Sequence, residues 1–149
     1  MKAFVTGTDG YIGILLAGHL RQHGHQVRGC DTGFYRGGWL YNGAEYLPEV
    51  LSKDIRNVTV DDLRGFDAVI HLAELSNDPL GQLAPNITFD INHAGSVHLA
   101  KLAKEAGVPR FIYFSSCSVY GASDQIIDEQ GAVNPLTAYA KCKVAVETE

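Results

Sequence analysis

The sequence is poor in cysteine, in basic charge and in long apolar runs, and each scarcity excludes a class of protein. Three cysteines in 149 residues, Cys30, Cys117 and Cys142, show no metal-ligand spacing and are odd in number, so no disulfide framework or metal site is predicted. Twelve basic residues against seventeen acidic ones give a net charge of −5, which favours neither nucleic acid nor an anionic membrane as a partner. No apolar run approaches the length of a bilayer span. We therefore expect a globular, cytoplasmic protein with reduced thiols.

Short apolar runs typical of β-strands alternate along the chain with longer segments of helical periodicity. Strands are predicted at 2–6, 26–30, 48–53, 67–73 and 110–114, and helices at 11–23, 60–64, 87–106 and from 135 onward. This alternation predicts right-handed βαβ units and an α/β fold with a doubly wound, mostly parallel sheet. The last helix is followed by no strand, so we expect residues 1–149 to be the first part of a longer protein; the alternative is a small protein that ends there.

A glycine turn follows the first predicted strand. Glycines at 7, 10 and 13 form the pattern G-x-x-G-x-x-G, which opens an amphipathic helix at Tyr11 and Ile12. Gly7 allows a sharp turn, Gly10 allows a phosphate to approach the backbone, and Gly13 allows the helix to pack closely on the sheet. The free N–H groups of the helix start then favour a pyrophosphate. This placement predicts a Rossmann-type dinucleotide site.

The end of the second strand indicates which dinucleotide binds. Asp31 lies 24 residues after Gly7, where a carboxylate accepts hydrogen bonds from the adenosine ribose and repels a 2′-phosphate. This favours NAD over NADP. Arg36 is the opposing feature, because a mobile arginine in the following loop could pair with a 2′-phosphate.

A second motif lies near the end of the sequence. Tyr139 and Lys143 are four residues apart on a predicted helix, so the phenol and the ammonium share a face. The lysine charge, helped by an oxidised nicotinamide, is expected to lower the tyrosine pKa and make Tyr139 a general acid/base. Ser116, after the fifth strand, is placed to hydrogen-bond the same substrate oxygen.

Together these motifs resemble the extended short-chain dehydrogenase/reductases, specifically the NAD-dependent epimerase/dehydratase family of nucleotide-sugar enzymes. The resemblance covers the whole chain and includes the run Ser-Ser-x-Ser-Val-Tyr-Gly at 115–121. It implies that residues 1–149 form an NAD-binding Rossmann domain whose C-terminal substrate domain is absent from this chain. It assigns the catalytic roles to Ser116, Tyr139 and Lys143. The implied cofactor-binding residues are Gly7, Gly10, Tyr11, Ile12, Gly13, Asp31, Asp54, Ile55, Leu72, Ala73, Asn92, Tyr139 and Lys143.

Two departures from the family pattern narrow the predicted activity. The dehydratases carry an Asp-Glu pair after the catalytic threonine, whereas this sequence has Cys117 and Ser118, so epimerase chemistry is favoured over dehydration. Glu74 stands where the family usually has a small residue; it could contact substrate, polarise the site or turn outward. The resemblance thus implies an NAD-dependent nucleotide-sugar epimerase. The alternatives are an NAD(P)-dependent sugar-nucleotide dehydrogenase/reductase and a non-catalytic NAD(H)-binding module. It also implies a homodimer built through the helices that carry Asn92 and Tyr139.

Several other residues are interpreted structurally. His19 and His23 lack a third metal ligand, His71 is expected to be buried in a strand, and Cys142 is expected to fill a small space rather than act as a nucleophile. Segment 75–81 is predicted as a loop that either touches substrate or forms an ordinary turn with a helix cap. The aromatic group formed by Phe34, Tyr35, Trp39 and Tyr41 is interpreted as a cofactor-side or interface loop.

Overall fold

The computed structural model of the chain describes residues 1–38 and 47–149, and these form two compact units. The sheet unit comprises Met1–Ala73 and His98–Phe114, and the helical unit comprises Glu74–Val97 and Ser115–Glu149. Trp39 and Tyr41, of the predicted aromatic group, lie outside the described residues. No helix among residues 1–38 and 47–149 is long and apolar enough to cross a bilayer.

The sheet unit contains the five predicted strands, all parallel. They are β1 (Lys2–Thr6), β2 (Gln26–Asp31), β3 (Glu49–Ser52), β4 (Ala68–His71) and β5 (Phe111–Tyr113), in the order β3-β2-β1-β4-β5. The sheet is therefore Rossmann-like, as predicted. Strand β4 is shorter than the predicted 67–73 because the N–H groups of Leu72 and Ala73 donate to the Thr6 side chain, both at 3.2 Å, instead of extending the ladder.

Alternating side chains of β1 enter two separate cores, as expected for a strand covered on both faces. Phe4 packs with Leu63 of α2 (Val60–Leu63) and Leu99 of α5 (Ser96–Glu105). Ala3 and Val5 pack in a second cluster against Leu16 and Leu20 of α1 (Tyr11–Gln22). This double covering buries β1 up to its carboxyl end, where the glycine turn begins.

The helical unit differs from the prediction in three places. The predicted single helix at 87–106 is instead α4 (Pro85–Thr88), a π-helical segment (Phe89–Gly95) and then α5. A further helix, α3 (Asp78–Leu83), occupies part of the segment predicted as a loop, because the Asn77 side chain caps it by accepting from the N–H of Leu80 at 3.0 Å. The helix cap expected in the turn-with-cap alternative is therefore present in 75–81, and contact of this segment with substrate stays a prediction.

The last helix, α6 (Ala138–Thr148), begins three residues later than the predicted start at 135. The Thr137 hydroxyl caps it by accepting from the N–H of Ala140 at 3.1 Å, so the helix start is set by this cap and not by Pro135. A 3-10 turn at Cys117–Tyr120 completes the regular structure of this unit. Helix α6 packs against α3, α4, the π-helical segment and the 3-10 turn.

Candidate active site

The glycine turn of the sheet unit has the close approaches that glycine allows. Gly7 has φ of +75°, and a Cβ there would lie 2.8 Å from the backbone nitrogen of Ala73. At Gly13 a Cβ would lie 1.9 Å from the carbonyl oxygen of Gly7. Both positions therefore require glycine, the first for the turn and the contact with the loop after β4, the second for packing of α1 on the turn.

The start of α1 is open to an anion. Gly10 is its N-cap and provides no side-chain hydrogen bond to the first turn. The next residues, Tyr11 and Ile12, are exposed, Tyr11 to 89%. N–H groups at a helix start that no side chain caps are suited to a phosphate group, so this turn fits a dinucleotide.

Asp31 is anchored at the end of β2 by two backbone groups. Its carboxylate accepts from the N–H of Asp9 at 3.0 Å and from the N–H of Gly33 at 2.8 Å. An ionised carboxylate has about four acceptor positions, so this anchoring leaves Asp31 the capacity to accept from ribose hydroxyls.

Arg36 is tied to the glycine turn. Its guanidinium donates to the Asp9 carboxylate from Nε at 3.0 Å and forms an ion pair with it at 2.8 Å. The sequence analysis treated Arg36 as a mobile group that could receive a 2′-phosphate. In the structure that charge is already directed to a carboxylate that is 2% exposed.

Four more predicted cofactor-binding residues lie in the sheet unit. Asp54 precedes a 3-10 turn (Ile55–Asn57), where it accepts from the backbone N–H of Arg56 at 2.9 Å and from the Arg56 side chain at 2.7 Å. These bonds from the Arg56 side chain hold the pKa of the Asp54 carboxyl below its ordinary value. Ile55 is buried, whereas Leu72 and Ala73 are half-buried in the loop beside Gly7.

The helical unit brings the three predicted catalytic residues together. Tyr139 and Lys143 lie one turn apart on α6, and the Lys143 ammonium is 5.2 Å from the centre of the Tyr139 ring. Ser116, just before the 3-10 turn, lies close enough to the Tyr139 phenol to lower its pKa. The Ser116 oxygen itself accepts from the hydroxyl of Ser118 at 2.9 Å and from its N–H at 3.2 Å, which leaves the Ser116 proton available for another acceptor.

Lys143 is paired with a carboxylate. Glu74 Oε2 lies 2.8 Å from Lys143 Nζ, and the two side chains are 3% and 4% exposed. The open question about Glu74 is therefore answered: it turns inward, onto the lysine.

The Tyr139 pKa departs from the prediction. Burial raises the pKa of the Tyr139 phenol above its ordinary value, Glu74 raises it further, and Ser116 opposes both. The lowering expected from Lys143 and an oxidised nicotinamide is not found in the protein by itself, because burial of the phenol and the Glu74 carboxylate act against it; the lowering with bound NAD stays a prediction.

Comparison with known proteins identifies the family. The model of the NAD dependent epimerase/dehydratase family matches residues 3–149. The chain belongs to this family. Its resemblance, noted from the motifs, is thereby confirmed.

The relatives within the family include epimerases and a dehydratase. A UDP-glucose 4-epimerase of Streptomyces lividans is 30% identical over 150 residues, which cover 98% of this chain and 45% of that protein. The structure of UDP-glucose-4-epimerase from Stenotrophomonas maltophila, with bound NAD and formylated UDP-arabinopyranose, superposes with a TM-score of 0.87 at 30% identity, over 99% of this chain and 47% of that one. An NAD dependent NDP-hexosamine 5,6-dehydratase superposes with a TM-score of 0.86 at 29% identity, over 99% and 48%. The chain thus spans about half the length of these relatives.

Asn92 is a residue of the family motif, and its side chain makes hydrogen bonds within the helical unit. It is fully buried in the π-helical segment, and its amide accepts from the N–H of Leu75 at 2.8 Å and donates to the Leu75 carbonyl at 2.9 Å. Ser96 donates to the Asn92 carbonyl at 2.6 Å. Asn92 therefore fixes the loop that follows β4; the structure gives it this role, and its predicted contact with the cofactor stays a prediction.

His71 and Cys142 are both buried, as their structural interpretation expects. His71 is fully buried in β4, with Nδ1 2.7 Å from the Thr6 hydroxyl. Burial raises the pKa of the fully buried Cys142 thiol to about 11, so it is not an activated nucleophile. Among the described residues no group of three metal-ligating side chains occurs, and His23 bonds the carbonyl of His19 at 2.9 Å.

Two contributors to the site were not assigned by sequence reasoning. Asp9 was treated only as a variable position of the glycine pattern, although a charged residue within such a turn requires a partner. Ser118 was considered only because it stands at a position where the dehydratases carry an acidic residue. The Ser-x-Ser spacing of 116 and 118 is the signal that could have identified it, because a serine two residues on can bond its neighbour.

Proposed function

We propose that this chain binds NAD and is part of an epimerase-type enzyme that acts on a secondary alcohol of a nucleotide-sugar. The observation that carries the proposal is the cluster in the helical unit: Ser116 beside the phenol of Tyr139, with Lys143 one turn away. A phenol that adjoins a serine hydroxyl and an ammonium is an arrangement suited to moving a proton to or from a substrate hydroxyl. The activities of the relatives support the same chemistry.

The sheet unit supports the choice of NAD. The uncapped start of α1 fits a pyrophosphate, and the anchored carboxylate of Asp31 fits ribose hydroxyls and repels a 2′-phosphate. Arg36 is bound to Asp9, so NADP is less favoured. The remaining assignments, which bring Asp54 and Ile55 to the adenine and Leu72 and Ala73 to the nicotinamide ribose, come from the family pattern.

In this proposal each catalytic residue has one task. Bound NAD supplies a reversible acceptor of hydride. Tyr139 takes the proton of the substrate hydroxyl as the alcohol is oxidised and returns it as the ketone is reduced. Ser116 orients that oxygen, and Lys143 holds ribose hydroxyls and sets the protonation of Tyr139. Cys117 and Ser118 replace the Asp-Glu pair of the dehydratases, which is why we propose epimerisation rather than loss of water.

We further propose that the substrate domain lies outside residues 1–149, since the chain matches about half the length of its relatives. The family pattern also suggests a homodimer, and the exposure of Leu83 and Ile87 in the helical unit is consistent with an interface there. The described cysteines are free, which agrees with a cytoplasmic protein.

The test separates cofactor binding from turnover. NAD and NADP are titrated against the 149-residue chain, and UDP- and dTDP-hexoses are then added to the protein that carries it, with 340 nm absorbance and sugar stereochemistry followed together. An epimerase inverts one centre with no lasting change at 340 nm, whereas a dehydrogenase/reductase produces a lasting change. Binding of NAD with unaltered sugars across the panel would favour the non-catalytic module and remove the epimerase.

Tyr139→Phe tests the proposed acid/base directly. We expect turnover to fall by about 10²- to 10⁴-fold, the usual value of a positioned proton donor, while NAD binding is retained. Tyr113→Phe is the matched control, because Tyr113 is a tyrosine of β5 in the sheet unit to which no functional role is assigned. Turnover that survives in Tyr139→Phe would remove this residue from the mechanism.

A further inference from the structure

Glu74 places a second charge where the family usually has a small residue. Its carboxylate is 2.8 Å from the Lys143 ammonium, and both side chains are almost completely withdrawn from solvent. A buried ion pair of this kind carries a desolvation cost that a surface pair does not, so its presence at a catalytic lysine calls for a functional account.

The backbone next to Glu74 is held firmly. The side chain of Asn92 bonds both the N–H and the carbonyl of Leu75, at 2.8 and 2.9 Å, and Asn92 itself is fully buried. These two hydrogen bonds to Leu75 restrict the positions that the carboxylate of the neighbouring Glu74 can take. The pair with Lys143 is therefore a preorganised part of the site, built on α6, the π-helical segment and the segment that precedes α3.

The pair changes what Lys143 can do for Tyr139. An ammonium 5.2 Å from the phenol ring favours the phenolate, whereas an ammonium bound to a carboxylate presents almost no net charge. We propose that Glu74 is a positioning residue that holds Lys143 and, through it, keeps the proton on Tyr139. The inference depends on the proposed function for the role of Tyr139 as acid/base.

The other charged groups around Tyr139 act in the same direction or are weaker. Burial raises the pKa of its phenol most, followed by Glu74, while Ser116 lowers it; Asp78 of α3 and Cys117 of the 3-10 turn raise it less. The remaining titratable groups on elements packed against α6, or on α6 itself, are Asp90, His93, Tyr120, Lys141, Cys142, Glu147 and Glu149. His93 lies 3.8 Å from Glu149, at the end of the helix away from Tyr139. Glu74 is thus the charged group with the largest effect.

A protonated Tyr139 is ready to donate to a ketone oxygen, which is the reducing half of the proposed reaction. The oxidising half requires the phenolate, so Glu74 is expected to confine alcohol oxidation to higher pH. Replacing Glu74 by a neutral residue leaves the ammonium to favour the phenolate and moves the acid limb of alcohol oxidation to lower pH.

The experiment is a pH titration of tyrosine labelled with 13C at Cζ, followed by NMR in the 149-residue chain without cofactor or sugar; Tyr139→Phe identifies the resonance. In Glu74→Gln we expect about tenfold more phenolate at a given pH than in the wild type. Glu129→Gln removes one exposed carboxylate and is expected to leave the curve unchanged, and Asp78→Asn is expected to move it less than Glu74→Gln.

Identical Tyr139 curves for the wild type and Glu74→Gln would overturn the inference and leave Glu74 a purely structural partner of Lys143. If Glu74→Gln does not fold, the wild type decides alone: a Tyr139 resonance that titrates at or below the ordinary value of about 10 would overturn it as well. Because no cofactor or sugar is used, this result is independent of whether NAD binding or epimerisation is found.

Discussion

The two units of the molecule each hold an acidic residue close to its predicted site, and they neutralise it differently. In the sheet unit, Asp9 is 2% exposed but its partner Arg36 is 53% exposed. In the helical unit, Glu74 and Lys143 are 3% and 4% exposed. The first pair keeps one charge in contact with water, whereas the second has both withdrawn from it.

This difference in solvation predicts different consequences. Water and salt screen the guanidinium of Arg36, so the Asp9–Arg36 pair contributes little to stability. Substituting one of its residues is therefore expected to cost little stability. The Glu74–Lys143 pair has no such screening, so losing one partner leaves a buried charge beside it. We therefore expect substitutions in the Asp9–Arg36 pair to change the free energy of unfolding little. Substitutions that break the Glu74–Lys143 pair are expected to lower it strongly.

The largest effect is expected from breaking the buried pair. Lys143→Met removes the ammonium that balances Glu74 and is expected to lower the free energy of unfolding by about 3–5 kcal/mol. Arg36→Met, the matched change in the other pair, is expected to cost less than about 1 kcal/mol. Urea unfolding at pH 7 measures both. The double variant Glu74→Gln, Lys143→Met should recover part of the loss, and equal losses for the two single variants would contradict the comparison.

A smaller effect is expected at the buried thiols, one in each unit. Burial raises the pKa of Cys30 to about 12, with Asp31 contributing, and burial with Glu74 raises the pKa of Cys142 to about 11. A pKa that is higher in the folded state means that stability is complete below the ordinary thiol value near 9 and is lost as pH rises through the folded value.

The measurement is the free energy of unfolding between pH 7.5 and 10.5. Over this range Cys142→Ala should remove about 2 kcal/mol of the alkaline decline seen in the wild type. Cys117→Ala is the control, because Cys117 is exposed and its change should leave the decline as it was. A decline that is the same in all three proteins would show that the Cys142 thiolate is not excluded from the folded state.

The parts of the fold and of the site that could be predicted from the sequence are those that depend on local patterns. The five strands and the glycine turn were predictable because apolar periodicity and the spacing of Gly7, Gly10 and Gly13 are local features. The shared face of Tyr139 and Lys143 was predictable too, because four residues along a helix make almost a full turn.

The rest of the site depends on contacts that are distant in sequence. The partner of Lys143 is 69 positions away at Glu74, and nothing in the local pattern states whether that carboxylate turns in or out. The direction of the Tyr139 pKa in the protein by itself also depends on the fold, because burial of the phenol raises it most and Glu74 raises it next. The π-helical segment was missed because Asn92 and Ser96 fit an ordinary helical pattern, and their buried bonds exist only in the fold.

The smallest effect is expected from the pair in the sheet unit, and it concerns cofactor choice. If Arg36 is occupied by Asp9, Arg36→Gln should leave the ratio of the NAD and NADP dissociation constants almost unchanged. Asp9→Asn releases the guanidinium and should improve NADP binding by up to about fivefold, the value of one exposed ion pair, while Asp31 continues to oppose the 2′-phosphate.

Titration of both dinucleotides against the two variants and the wild type measures this. Arg56→Gln is a useful control, since Arg56 is a second arginine of the sheet unit that is bound to a carboxylate, that of Asp54. A marked loss of NADP binding in Arg36→Gln would mean that Arg36 already serves the 2′-phosphate in the wild type. The Asp9–Arg36 pair would then be part of the NADP-binding site. The expectation that this pair, unlike Glu74–Lys143, can be substituted with little effect would be wrong.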